Sequence, residues 1–149
     1  MGADANHSQT ETSPEAVDAL LEAARYDDID DIVSLESAGV SLDSKDSLGR
    51  TALHMAAANN LVDVVEYLIS HGVDVDASNE EKNTPLHWAC LNGHVEVIKK
   101  LILAGANISS LNSHERTPLD EALNLGKMDV IDAINAAVAQ RELTGVRVS

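Results

Sequence analysis

Six histidines are the residues of this chain whose chemistry most directly suggests metal binding. His54 and His87 each stand three positions after a threonine, where the imidazole and the hydroxyl can bond each other and cap the start of a helix. His71 lies at the end of a predicted helix, where a cation suits the helix dipole, and His94 follows a helix-breaking glycine. Structural roles explain these positions better than ligation does, so we predict no metal site and no cofactor.

One cysteine and one acidic run could also carry chemistry. Cys90 is the only cysteine and aligns with Ala57 of a neighbouring repeat, a small-residue position that favours an inert buried thiol over a nucleophile. The run Asp27-Asp28-Ile29-Asp30-Asp31 lacks the spaced ligands, the glycine and the terminal glutamate of a calcium loop. A solvated face or a contact for a basic ligand explains it better. With no catalytic dyad in the sequence, we predict that the chain is not an enzyme.

The net charge restricts the class of partner. Twenty-five acidic residues against 10 basic ones give −15, which repels nucleic acid and anionic lipid and favours basic partners. The charge is −7 over residues 14–50 and −5 over residues 51–83, so it is concentrated in the N-terminal half. Solubility and recognition explain this asymmetry equally well. We expect a protein partner, basic if the acidity serves recognition, and no direct contact with nucleic acid or membrane.

The same composition suggests a cellular location. A single cysteine cannot form an intramolecular disulfide, as expected in a reducing compartment. No apolar run approaches the roughly 20 residues of a membrane span. The start MGADANHSQT has neither a basic n-region nor an apolar h-region. We therefore expect a protein of the cytoplasm or nucleus that is monomeric when free.

The elements that must position these residues repeat with a period of 33 residues. The tetrapeptide Thr51-Ala52-Leu53-His54 recurs as Thr84-Pro85-Leu86-His87 and again as Thr117-Pro118-Leu119-Asp120. A polar segment rich in turn residues precedes each copy, which predicts a tight, hairpin-like turn before a helix. Three units are thus in strict register.

Each unit contains two predicted helices. The first ends at Asn59-Asn60, Asn92-Gly93 or Leu125-Gly126, where a residue tolerating positive φ is required. Apolar residues at helical spacing, such as those from Val95 to Ile102, then predict a second helix. The pattern therefore indicates a helix-turn-helix in every unit.

A degenerate copy precedes these three units. Shifting the pattern back by 33 residues aligns Leu20 with Leu53, and this copy has gained acidic residues, as suits a terminal unit that faces water. We predict a flexible N-terminal tail over residues 1–13, a repeat domain over 14–138 and a C-terminal tail over 139–149. The four predicted repeats are about 14–45, 46–78, 79–111 and 112–138.

The repeat motif resembles the ankyrin repeat. Thr-Ala/Pro-Leu-His-x-Ala, together with Gly-His-Val-Glu-Val at residues 93–97, carries the resemblance, which covers about residues 18–138. It implies an all-α solenoid of four stacked helix-turn-helix repeats with projecting, hairpin-like fingers. It also implies that a ligand lies on the concave side, against the fingers and the first helices.

The resemblance and the acidic run together give a set of predicted partner-binding residues. They share a place in a finger, on a first helix or in the turn that follows it. The set is Tyr26, Asp27, Asp28, Leu48, Arg50, Met55, Asn59, Glu80, Glu81, Asn83, Trp88, Leu91, Asn92, His114, Arg116 and Asn124.

Trp88 is the only tryptophan, and its role has two interpretations. Met55 and Glu121 occupy the equivalent positions of the adjacent units, and the glutamate indicates that this position reaches solvent in at least one repeat. Tryptophans dominate many interfaces, so Trp88 fits a binding anchor. Packing between repeats fits it equally well.

Two functional hypotheses follow. The segments from Thr51 to Asn59 and from Asn83 to Gly93 are similar to those of small, acidic ankyrin proteins that chaperone a newly made small-subunit ribosomal protein. This resemblance implies an escort that shields a basic, RNA-binding client. The alternative is a signalling or scaffold adaptor that binds a particular domain or peptide, because ankyrin arrays bind unrelated partners.

Overall fold

The computed structural model describes residues 13–144, and within that range its regular structure is helical, without strands. The helices come in four pairs joined by short turns, so the predicted all-α architecture of four helix-turn-helix units is confirmed. The eight described helices are α1 (Pro14–Arg25), α2 (Ile29–Ser37), α3 (Ala52–Ala58), α4 (Val62–Ser70), α5 (Pro85–Asn92), α6 (Val95–Leu103), α7 (Pro118–Asn124) and α8 (Met128–Leu143).

The domain ends differ slightly from the predicted ones. Ser13, assigned to the N-terminal tail, caps α1, because its Oγ accepts the Ala16 N–H at 3.2 Å. Helix α8 continues past residue 138 to Leu143, and its last part is held by the nearly complete burial of Ala137 and Arg141. The remaining parts of the two predicted tails, residues 1–12 and 145–149, lie outside the described residues.

A threonine begins each of the first helices α3, α5 and α7. In α3 the Thr51 hydroxyl accepts the backbone N–H of His54, while His54 Nδ1 accepts the Thr51 backbone N–H at 3.1 Å. His87 makes the same pair of bonds with Thr84. Two of the helix's unpaired N–H groups are thus satisfied at once. The predicted structural role of both histidines is confirmed.

A left-handed residue ends each first helix and turns the chain into the second. The four residues are Asp27, Asn60, Gly93 and Gly126, with φ between 60° and 76°. Aspartate, asparagine and glycine tolerate this backbone conformation better than other residues do. The helix breaks therefore fall where the sequence predicts them, with a further one after α1.

The core runs through all four units. Leu20, Leu53 and Leu86 occupy equivalent positions on successive first helices and are at most 2% exposed. Each fully buried leucine contributes about 2 kcal/mol of apolar transfer energy. The alanine and cysteine positions beside them, such as Ala57 and Cys90, are fully buried and allow the helices to approach closely. Each first helix packs against the next, so the units form one continuous stack.

Candidate protein-binding surface

Three fingers project between the helix pairs, and one polar side chain stabilises each of them. They are finger 2 (residues 46–50), finger 3 (residues 79–83) and finger 4 (residues 112–116). In finger 2 the Asp46 carboxylate accepts the backbone N–H groups of Leu48 at 3.0 Å and Arg50 at 2.9 Å. An asparagine makes the equivalent bonds in fingers 3 and 4. Each finger is therefore a self-bonded turn.

Fingers 2 and 3 are also joined to each other. The backbone N–H of Glu80 donates to the Leu48 carbonyl at 3.0 Å. Gly49 has φ of +78°, and a Cβ at this position would lie 3.1 Å from the Cα of Asn79. Only glycine suits both the left-handed backbone and this close approach. The two fingers therefore form a single preorganised edge.

A cavity of about 220 Å³ opens between fingers 2 and 3, and Trp88 of helix α5 forms one of its walls. Half of the Leu48 surface is exposed here. The cavity brings together five residues that the sequence analysis predicted to bind a partner. The lining residues are Leu48, Arg50, Asn79, Glu80, Glu81 and Trp88.

Trp88 combines packing with access to solvent. Its ring meets the His54 imidazole edge-on, with centroids 5.2 Å apart, and the side chain is half-buried. The indole N–H donates no hydrogen bond to any residue between 13 and 144. Both interpretations of Trp88 thus describe part of its environment: one side packs on the preceding repeat, and the rest borders the cavity.

The charges around the cavity are unevenly compensated. Arg50 Nη2 lies 2.7 Å from the Asp46 carboxylate. Burial alone would raise the pKa of Asp46, but hydrogen bonds from the Arg50 side chain and from the Arg50 and Leu48 N–H groups outweigh it and lower that pKa. Glu80 and Glu81 are exposed and form no ion pair within the described part of the chain. The cavity rim therefore presents uncompensated negative charge.

The histidine beneath Trp88 is neutral at physiological pH. Burial lowers the pKa of His54 to about 4. Because Nδ1 accepts the Thr51 N–H, Nε2 carries the proton and donates to the Asn83 carbonyl at 2.8 Å. His87 donates in the same way to the Arg116 carbonyl at 2.9 Å, and burial lowers its pKa as well. Each imidazole therefore supports the finger of the following repeat and adds no positive charge.

The remaining predicted finger residues lie outside the cavity. Asn83 is half-buried and structural, since its side-chain oxygen accepts from Asn112 Nδ2 at 2.9 Å. His114 and Arg116 are exposed on finger 4, where Arg116 Nη1 is 3.7 Å from Glu121. These two can contact a partner that extends along the fingers beyond the cavity.

The predicted residues at the ends of the first helices are exposed. Tyr26 is 67% exposed and Leu91 is 41% exposed. The amides of Asn59 and Asn92 bond carbonyls one turn back in their own helices, at 2.8 and 2.9 Å, so part of their role is to close these helices. Asn124 is likewise exposed. The sequence prediction that these positions reach solvent is confirmed for all five.

Met55 is a wrong prediction. It shares the register position of Trp88 but is only 4% exposed, because the preceding repeat covers it and Arg25 donates a hydrogen bond to its sulfur at 3.4 Å. The side chain of Glu121, whose acidity suggested that the position is open to solvent, is only 12% exposed and accepts a hydrogen bond from Asn112. Register alone therefore does not fix exposure at this position.

The acidic run in the first unit is exposed and crowded. Asp28 caps helix α2, since its carboxylate accepts the Asp31 backbone N–H at 3.1 Å. The negative charge of Asp28, some burial and the nearby Asp30 raise the pKa of Asp31. Asp27, Asp28, Asp30 and Asp31 form no ion pair within residues 13–144. Repulsion among them would be relieved by a cationic partner.

Other chemistry is weakly represented in the described residues. Burial raises the pKa of the Cys90 thiol to about 12, which leaves it protonated and unreactive. Across residues 13–144, no three His, Cys, Asp or Glu side chains are grouped so that they could hold a metal ion. Over the same range, no helix has the length and apolar content of a membrane span.

Sequence reasoning missed two features at the C-terminal end. Arg141 is 3% exposed, and its Nη1 donates to the carbonyls of Ile102 at 2.8 Å and Ala106 at 3.0 Å, closing helix α6. Nearby, a cavity of about 480 Å³ lies between the start of α7 and the last turns of α8. The conformation of residues 108–109 and the length of α8, which shape this cavity, give no clear signal in the repeat pattern.

Comparison with known families agrees with this architecture. The model of a family described as ankyrin repeats, in three copies, matches residues 9–112 and 79–138. These overlapping matches cover most of the chain. No curated protein matches the sequence.

Proposed function

This chain belongs to the ankyrin-repeat family, a protein-interaction fold, and from that premise we propose that it escorts a basic client protein. The client is an RNA-binding protein, with a small-subunit ribosomal protein as the first candidate, and the escort acts in the cytoplasm or nucleus. By occupying the client's basic surface, the chain prevents premature contact with RNA.

One observation carries the proposal: the exposed carboxylates of the N-terminal half are not neutralised within the described structure. Asp27, Asp28, Asp30 and Asp31 crowd one turn, while Glu80 and Glu81 stand on a rigid finger. Residues 14–83 carry most of the net charge of −15. A surface of this kind attracts Lys- and Arg-rich segments and raises their rate of association.

The apolar contacts supply what electrostatics alone lacks. Acidic groups exposed to water contribute chiefly to the rate of encounter and are screened by salt. Leu48, Trp88 and Leu91 expose apolar surface on the fingers and first helices, and such contacts slow dissociation. Together they give a client complex that forms quickly and persists until assembly.

Affinity capture from lysate at two salt concentrations tests the proposal. We expect the captured partner to be a cationic, RNA-binding protein, retained at physiological salt and released near 1 M salt, where the Debye length falls from about 8 to about 3 Å. Added RNA should compete for the same client.

The same experiment separates the proposal from an adaptor function. An adaptor should retain its partner at both salt concentrations and ignore RNA. An acidic partner, or one whose capture is unchanged by salt and RNA, would contradict the escort function and support the adaptor instead.

A further inference from the structure

We infer that the cavity between fingers 2 and 3 holds one arginine side chain of the client, stacked on Trp88 between the carboxylates of Glu80 and Glu81. This inference rests on the proposed function and assigns the residue type that the surface selects. The occupant belongs to a protein segment that lies along the fingers.

The size of the cavity suits a single side chain. Its volume of about 220 Å³ falls below the roughly 300 to 1,000 Å³ that is usual for small-molecule sites. It opens to solvent between two fingers, so a chain crossing the finger tips can insert one residue without threading through the fold. A long side chain is required to reach from there to the ring of Trp88 on helix α5.

The lining matches the two parts of an arginine. The half-exposed Leu48 offers apolar surface for the methylene stem. The accessible part of the Trp88 indole offers a π surface, over which guanidinium groups stack more often than ammonium groups do. Glu80 and Glu81 supply acceptors at the rim for the guanidinium N–H groups.

The positive residue already in the cavity does not oppose this occupant. Arg50 is bonded to Asp46 through Nε at 2.8 Å and through Nη2 at 2.7 Å, so its charge is compensated. The two glutamates are left as the uncompensated charges of the lining. The site therefore attracts a cation, and the shape of the indole surface favours a planar one.

The cavity is also preorganised. The Glu80 N–H to Leu48 carbonyl bond fixes the two fingers relative to each other, and Gly49 allows their close contact. His54 packs against Trp88 and bonds the base of finger 3 at the Asn83 carbonyl. Little ordering is left to oppose binding, which raises the affinity that these few contacts can provide.

Three matched peptides test the assignment with the full chain. The first is a lysine-containing Gly/Ser peptide with one central arginine, and the others carry lysine or the neutral isostere citrulline at that position. Dye-labelled peptide anisotropy gives the affinities. Because Trp88 is the only tryptophan, intrinsic fluorescence reports directly on the cavity. We expect the arginine peptide to bind about fivefold more tightly than the lysine peptide and to change the Trp88 emission.

Variants locate the preference. Trp88→Leu should reduce the arginine-to-lysine ratio to below about twofold, and Glu80→Gln with Glu81→Gln should weaken the arginine peptide by about fivefold or more. The matched control is Asp63→Asn with Glu96→Gln, which removes the same charge from equivalent exposed positions in the first turns of α4 and α6. This control should change binding by less than about twofold.

The outcomes separate the two proposals. If the peptides bind in a salt-dependent way but arginine has no advantage over lysine, or its advantage survives Trp88→Leu, the arginine assignment is wrong and the escort proposal stands. If the control pair weakens binding as much as the glutamate pair, only general attraction remains and the assignment also fails. If none of the peptides binds at low salt, both proposals are contradicted.

Discussion

The imidazole of His54 lies at the start of one repeat and donates a hydrogen bond to the backbone carbonyl of Asn83 in the finger of the next, 2.8 Å away. The other ring nitrogen accepts the N–H of Thr51, so the same side chain also caps its own helix. A residue of the repeat motif therefore serves two repeats at once. This linkage has consequences for stability, for pH dependence and for the binding surface.

Replacing His54 with alanine should lower the free energy of unfolding by about 2 to 4 kcal/mol. The change creates a cavity and leaves the buried Thr51 N–H and the Asn83 carbonyl without their partners. Urea unfolding followed by circular dichroism measures this. His114→Ala, which truncates an exposed imidazole on finger 4, should stay within about 0.5 kcal/mol of the parent. Equal effects of the two changes would contradict the linking role of His54.

Stability should fall as the pH decreases from about 6.5 towards 4. Burial lowers the folded-state pKa of His54 from 6.5 to about 4, so over this interval the unfolded chain binds the proton more readily. The stability is complete above the unfolded pKa and is lost as the pH falls, by up to about 3 kcal/mol for this histidine. His87 acts in the same direction.

Unfolding free energies at pH 7 and pH 4.5 check this prediction. The pH-dependent difference should be smaller in His54→Gln than in the parent, because glutamine does not titrate. Carboxylates respond equally in both proteins, so comparing the two differences isolates the histidine. An unchanged difference would show that His54 is already accessible to protons in the folded state.

The sequence predicted the helices well because each signal was local. A threonine before a helix and a left-handed residue after it act within a few residues, and the period of 33 repeats them. Exposure was harder, because it depends on the neighbouring repeat. Met55 and Trp88 share a register position, yet Arg25 covers the methionine while the tryptophan borders a cavity.

The cavity itself was only partly predictable. Five of its lining residues were identified as separate binding positions, but their meeting depends on how finger 2 approaches finger 3 at Gly49. The role of Arg141 could not be predicted either, because its partners are carbonyls on α6, more than 30 residues earlier in the chain. Such contacts have no counterpart in the repeat motif.

Replacing Gly49 with alanine should destabilise the fold more than replacing Gly72. Both glycines have positive φ, near +80°, so each substitution carries the same backbone penalty of about 1 kcal/mol. A Cβ at residue 49 would also press on the Asn79 backbone at 3.1 Å, whereas residue 72 has open space around it. Thermal unfolding of the two variants gives the difference. If Gly72→Ala proved equally harmful, the contact between the fingers would not matter.

Replacing Arg141 with alanine should lower the unfolding free energy by about 2 to 4 kcal/mol. The guanidinium is buried and donates to two carbonyls at the end of α6, so truncation leaves both acceptors unsatisfied and opens a cavity. Gln140→Ala, at an exposed position of the same helix, is the control for helix propensity and should be nearly neutral. Chemical denaturation compares them. A neutral Arg141→Ala would indicate that water replaces these hydrogen bonds.

The last prediction separates the charged and apolar parts of client binding by their kinetics. Changing Asp27, Asp28, Asp30 and Asp31 together to asparagine removes four exposed charges but keeps a side-chain oxygen at the Asp28 helix cap. Because exposed charges act mainly before contact, association at low salt should slow by on the order of tenfold, with little change in dissociation.

Trp88→Leu should show the opposite behaviour. It keeps every charge and removes the aromatic wall of the cavity, so dissociation should quicken by about fivefold or more, which corresponds to about 1 kcal/mol, while association stays near the parent rate. Surface plasmon resonance with the captured client, at low and high salt, measures both rates for both variants. The parent and Trp88→Leu should share one dependence of the association rate on salt, and the quadruple variant should show a flatter one. A normal association rate for the quadruple variant at low salt would mean that these carboxylates provide solubility alone. The recognition of a basic client would then have to depend on Glu80, Glu81 and the fingers.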